Sequence, residues 1–212
     1  HNYVHPETGE LITKERLEIK GLGKAKYILK PGGTLGDLYT NSDLVYNDDG
    51  YIEVDKNGNV AVKDDYMDDI YLGSVFPKYN LAWRNDFNYK GINLGVLFTA
   101  RIGGICYSAT QANMDLYGVS EASAAARDAG GVMINGRDMI DAQKWYQVIG
   151  SQSGLPQYYT YSATNVRLQE LSLGYTLPSK WFRDKMRMTV SFVGRNLWMI
   201  YCKAPFDPEA VA

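Results

Sequence analysis

From Leu81 the chain alternates, with Leu81, Trp83, Phe87 and Tyr89 on one side and Ala82, Arg84, Asp86 and Asn88 on the other. A period of two predicts a strand. After Lys90-Gly91 the pattern resumes as Ile92, Leu94, Val96, Phe98, Ala100 and Ile102 against Asn93, Gly95, Thr99 and Arg101, with Leu97 as the exception. Two such runs joined by so short a link predict a hairpin. Further along, Leu171, Leu173, Tyr175 and Leu177 alternate with Glu170, Ser172, Gly174 and Thr176 until Pro178 ends the run. A link that is polar apart from Trp181 and Phe182 leads to Met188, Val190 and Phe192, alternating with Thr189, Ser191 and Val193 as a return strand. The expected strands cover about 79–89, 92–103, 165–177 and 187–198. One more is expected over 17–29, where Gly21 and Gly23 interrupt the pattern.

Each run of the first hairpin is about 9–11 residues long, the length a tilted strand needs to cross a bilayer. Strands of soluble sheets are nearer 5–6 residues. A soluble sandwich alternates in the same way, so periodicity alone leaves membrane barrel and sandwich level. The connections favour the barrel: the stretches 31–78 and 104–163 are long excursions, whereas Lys90-Gly91 is minimal. Short periplasmic turns and long extracellular loops describe an outer-membrane barrel. Within the second excursion, Glu121 to Ala129 predicts one short helix, with Ser120 as N-cap and Gly130-Gly131 as stop. Val132 to Tyr161 reads as short extended pieces and turns. In the first excursion, Asn57-Gly58 predicts a type I′ turn between Tyr51–Val54 and Val60–Lys63. The expected fold is all-β, a partial transmembrane antiparallel β-barrel with long extracellular loops and one short loop helix. A soluble β-rich binding or structural domain is the alternative.

Composition narrows the function classes. The 22 basic and 24 acidic residues are scattered, which points to no nucleic acid and no polybasic membrane patch. No run of about 18 apolar residues is present, so a membrane role falls to strands. Tyrosine is in excess, 17 against 6 Phe, in keeping with strands and interfacial girdles. Cys106 and Cys202 have no CxxC or CxxH neighbour, so neither zinc nor redox chemistry is read from them. The only histidines are His1 and His5, and no GxSxG, P-loop or HExxH motif occurs. The expectation is no enzyme, no catalytic residue and no cofactor. Asp48, Asp49, Asp55, Asp64, Asp65, Asp68 and Asp69 crowd one region, and Asp55, Asn57 and Asn59 mimic three positions of a calcium loop. Val60 stands where that loop requires glycine, so these residues read as solvated turns and no metal site is assigned.

The stretch from Asn165 through Leu-Gly-Tyr-Thr-Leu-Pro178, Gly194-Arg195-Asn196-Leu197-Trp198 and Phe206-Asp207-Pro208-Glu209 resembles the C-terminal region of SusC/RagA-type TonB-linked outer-membrane proteins. These pieces parallel an "RLRNLTLGYTLP"-like strand, a "GRNLF"-like strand and a "FDPE" segment, in the same order. Upstream, Gly33 to Tyr39, Leu72 to Tyr79, Phe87 to Gly91 and Arg101 to Ser108 resemble further motifs of the family. Asp37-Leu38, Ala82-Trp83 and Tyr201-Cys202 depart from its patterns.

The resemblance implies part of a 22-strand barrel that works with an N-terminal plug, the TonB complex and a SusD-type surface lipoprotein to import an oligosaccharide or peptide across the bacterial outer membrane. Four or five strands leave open edges in lipid, so the chain is expected to be a fragment of the barrel domain, contacting membrane lipid. Contacts to TonB are expected from parts of the parent outside this chain. Within 104–163, Trp145, Tyr146, Tyr158, Tyr159 and Tyr161 are the candidate substrate- or partner-facing residues, with loop packing as their alternative role.

Overall fold

The computed structural model describes residues 2–4, 9, 11–13, 16–21, 23–65, 69–150, 153–183 and 185–210. His1, His5 and Asp68, considered above, lie outside these. The chain divides into two compact units, His1–Val75 with Tyr107–Tyr161 and Phe76–Cys106 with Ser162–Ala212.

Among the described residues, eight strands precede the first long hairpin: β1 (Asn2–Val4), β2 (Leu11–Thr13), β3 (Leu17–Lys20), β4 (Ala25–Leu29), β5 (Asp37–Thr40), β6 (Asp43–Leu44), β7 (Val62–Lys63) and β8 (Ile70–Ser74). The hairpin is β9 (Tyr79–Tyr89) and β10 (Ile92–Ile102), followed by β11 (Ile105–Tyr107), α1 (Ala109–Leu116) and α2 (Glu121–Asp128). Then come β12 (Val132–Ile134), β13 (Asp138–Ile140), α3 (Ala142–Ile149), β14 (Thr160–Ser162), β15 (Asn165–Thr176) and β16 (Thr189–Cys202).

The second unit is built on one antiparallel sheet in the order β16-β15-β10-β9. Tyr89 pairs with Ile92 across Lys90-Gly91, whose φ values are +46° and +88°. Positive φ at both positions makes a type I′ turn, whose twist matches that of the strands. A side chain at Gly91 would also stand 2.9 Å from the Thr176 carbonyl oxygen. Strands β10 and β15 pair from Ile92↔Tyr175 to Leu97↔Glu170, then shift by one so that Phe98 faces Leu168. That bulge at Gln169 brings Leu168 to the side of Leu171, although the two differ in parity.

The first unit holds a four-stranded sheet, β3-β4-β5-β8, and a helical layer with its own core. Where one strand was expected over 17–29, the chain folds as the hairpin β3–β4, with Gly23 at φ +61° in the connection. The predicted helix is α2, and the Ser123 N–H donates to the Ser120 hydroxyl at 3.0 Å as its N-cap. Two helices outside the expectation flank it. The Gln111 N–H caps onto Ser108 at 3.1 Å in α1, and the Lys144 N–H onto Asp141 at 3.1 Å in α3. In α3 the buried residues Ala142, Trp145 and Ile149 fall on one helical face. Trp145 and Ile149 pack with Leu44, Val60, Ala112, Ile134, Ile140, Leu155 and Tyr159.

The turn at Asn57-Gly58 differs from the expected type I′. Only Gly58 has positive φ, +76°, and its N–H donates to the Asp55 carbonyl at 3.0 Å. The Asp55 carboxylate accepts from the Asn57 and Asn59 N–H groups, each at 2.8 Å, so an Asx turn decides the local geometry. The expected pairing of the flanking segments is present as a Val54↔Val60 bridge.

Candidate functional site

The four long strands present two unlike faces. Along one face of β9 and β10 run Tyr79, Leu81, Trp83, Phe87 and Tyr89, in register with Ile102, Ala100, Phe98, Leu94 and Ile92. The row continues through Leu173 and Tyr175 of β15 to Phe192 and Val190 of β16. These side chains lie open: Trp83 is 64% exposed and Phe192 77%. Apart from Asn85, opposite Val96, the row is apolar, the kind of exposed band that suits lipid better than water.

The opposite face carries charge. Arg84 Nε lies 3.0 Å from Asp86, Arg84 Nη1 3.5 Å from Glu170, and Arg195 Nε 3.2 Å from Glu170. The chain of opposite charges therefore crosses all four strands. Gly95 makes room for it, since a side chain there would meet Ser172 Oγ and stand 2.9 Å from Asp86.

Near the end of the same sheet, Arg167 is 2% exposed. Its Nη2 lies 2.8 Å from Asp207, and its Nη1 donates to Asn196 Oδ1 at 3.0 Å and lies 3.3 Å from Glu209. Its Nε donates to Asn165 Oδ1 at 3.2 Å. Asn196 adopts φ +57°, a left-handed conformation that asparagine tolerates better than most residues. Burial pushes the Asp207 carboxyl up, but hydrogen bonds from Arg167 and the Glu209 N–H outweigh it and hold the carboxyl below its ordinary value. The three sequence motifs of the C-terminal region thus meet around one guanidinium, a contact that their spacing did not reveal.

The five aromatic residues named from the sequence separate in the first unit. Trp145 and Tyr159 are core residues, 8% and 2% exposed. Tyr146 and Tyr161 are half-buried against that core. Tyr158 is the most exposed, at 37%, and stands edge-on to Trp145 with ring centres 6.0 Å apart. Burial pushes the Tyr158 phenol up to about 12, helped by Tyr46 and Asp43. The Tyr159 phenol is pushed up by burial and by Asp115, to which its hydroxyl donates at 2.9 Å.

Sequence reading passed over a groove of 850 Å³ lined by Tyr51, Glu53, Asp55, Arg137 and Asp138 among others. The Asn135 side chain fastens its two walls, accepting from the Ile52 N–H at 2.8 Å and donating to the Ile52 carbonyl at 2.9 Å. Arg137 lies 4.9 Å over the Tyr51 ring. The Asp55 carboxylate is engaged by backbone N–H groups and by Asn59 Nδ2 at 2.8 Å. Among the described residues no three His, Cys, Asp or Glu side chains gather as a metal site. Cys106 and Cys202 are partly buried and form no disulfide.

No protein-family model matches the chain. Among curated proteins, TonB-dependent receptor P3 of Formosa agariphila is 24% identical over 163 residues, 76% of this chain and 15% of the relative. The RagAB peptide importer in its closed-closed state superposes with a TM-score of 0.51 and 17% identity, over 92% of this chain and 26% of the other. The chain has the fold of part of a TonB-dependent outer-membrane barrel. The open-open state of RagAB agrees, with a TM-score of 0.51 and 15% identity over 92% of this chain and 25% of the other. The resemblance to SusC/RagA-type proteins carried by the motifs is matched by the fold. In this fold, β9, β10, β15 and β16 form one antiparallel sheet with an apolar row on one face and a charged row on the other.

Proposed function

We propose that the chain supplies barrel wall and surface loops to a TonB-dependent importer of oligosaccharides or peptides that acts with a SusD-type lipoprotein. The observation that carries the reading is the division of one four-stranded sheet into an exposed apolar face and an inner charged face. A soluble sheet also has an apolar face but buries it against a second layer, whereas here Trp83, Phe87, Leu173 and Phe192 stand exposed. The name of the RagAB neighbour supports a peptide cargo and a two-protein assembly, and the groove at Tyr51 and Arg137 offers an aromatic and hydrogen-bonding surface for either cargo class. Tyr158, the most exposed of the original five, stays the aromatic residue best placed to touch a ligand or partner. Trp145 and Tyr159 would act by holding the loop unit in shape.

The test uses the full-length parent in its own cell. Deleting it should abolish energy-dependent uptake of one oligosaccharide or peptide class, and a neighbouring surface lipoprotein should purify with the parent in detergent. A parent recovered in the aqueous fraction after carbonate washing would overturn the reading in favour of a soluble β-rich domain.

A further inference from the structure

Between the end of α1, the last turn of α2 and the first turn of α3 lies a cavity of 180 Å³. Asp115 forms part of its wall and is 6% exposed. Its carboxylate accepts from two neutral donors, Gln111 Nε2 at 3.1 Å and the Tyr159 hydroxyl at 2.9 Å. Arg127 forms another part of the wall and spends one hydrogen bond on the Gly118 carbonyl, at 2.6 Å. Among the described residues neither Asp115 nor Arg127 has an ion-pair partner, and they do not pair with each other.

One cavity therefore carries a buried acid and, at its exposed rim, a cation, neither with an ion-pair partner among the described residues. Burying a charge in this state is costly unless something supplies the opposite sign. The end of α1 adds to the negative side. Asp115 sits in the last turn of α1, where the backbone carbonyls already make the potential negative. Ala142 and Gln143, in the first turn of α3, line the cavity on the opposite side, where the Asp141 carboxylate already caps the helix. Tyr117 and Tyr146 complete the wall.

We propose that this cavity binds a small free α-amino acid, its ammonium group on Asp115 and its carboxylate toward Arg127. Each Asp115 oxygen takes one donor within the protein and keeps a lone pair for the ammonium protons. The volume leaves room for a side chain of only a few atoms. A peptide interior carries neither charge, so the site selects a free amino acid over the chain it came from. The inference concerns the first unit alone and stands whatever the barrel imports.

Isothermal titration of the full-length parent in detergent tests it, with L-alanine, N-acetyl-L-alanine and L-alaninamide as probes. L-alanine is expected to bind saturably, one per chain, and each blocked analogue about ten- to a hundredfold more weakly, the loss expected for one charge-assisted contact. Arg127→Gln, on an exposed helix face, should weaken L-alanine by a similar factor while leaving Trp145 fluorescence unchanged. Asp115→Asn should do so too, although it also touches Tyr159. Absence of saturable L-alanine binding, equal binding of the blocked analogues, or an Arg127→Gln variant with wild-type affinity would each overturn the assignment.

Discussion

Arg167 shows how much one side chain can organise. It is nearly sealed from solvent and meets Asp207, Glu209, Asn196 and Asn165 at once. Arg167→Met would leave a half-buried carboxylate and two amides without their donor, and the barrel is expected to lose about 2 kcal/mol, after discounting for the exposure of the two acids. Heat-dependent mobility of the folded parent on gels would register the loss, and an unchanged transition would contradict it. Acid should act through the same contact. The Asp207 carboxyl is held below its unfolded value, so its contribution is present above about pH 4 and disappears as pH falls through the lower folded value. Asp207→Asn should therefore weaken the barrel at neutral pH and flatten its acid transition, measured as stability against pH. In the first unit, Asp69 behaves alike, because Lys26 and Arg16 outweigh the upward push of burial.

Single elements carry the next set of causes. The Lys90-Gly91 turn requires left-handed backbone at both residues, and Gly91 is pressed against Thr176. Gly91→Val combines a branched side chain at positive φ with that close approach and should cost about 2 kcal/mol, whereas Lys90→Asn should be neutral or stabilising. Urea unfolding of the refolded parent distinguishes the two. In α3, Trp145 anchors the loop core, so Trp145→Ala is expected to cost about 3–5 kcal/mol and to expose the loop unit to limited proteolysis while the barrel stays folded. Tyr158→Ala should leave protease resistance close to wild type, its ring being more than a third exposed. If both variants were equally resistant, the core role of Trp145 would be wrong. The N-caps Ser108 and Asp141 of the two unexpected helices stand plainly in the sequence. All three helices are eight residues long, but only α2 has the alanine-rich run that makes so short a helix legible.

For the whole molecule, the decisive question is which medium each sheet face meets. Leu171→Arg places a charge midway along the lipid row and should lower barrel stability by about 2–4 kcal/mol in bilayers. Thr99→Lys, on the inner face, should change it by less than about 1 kcal/mol. Equal responses in vesicle-reconstituted protein would remove the membrane assignment. The alternation of β9, β10, β15 and β16, their membrane-spanning length and the minimal Lys90-Gly91 link were readable from residue order, because strand periodicity and turn chemistry act between near neighbours. The bulge at Gln169 and the meeting of Arg167 with Asp207 and Asn196 required the fold, because they join residues that share no local pattern. The same holds for the aromatic excess of the loop region. Composition counted its tyrosines and tryptophan, but only packing could turn Trp145 and Tyr159 inward, leave Tyr158 at the surface and set Asp115 and Arg127 unpaired around one cavity.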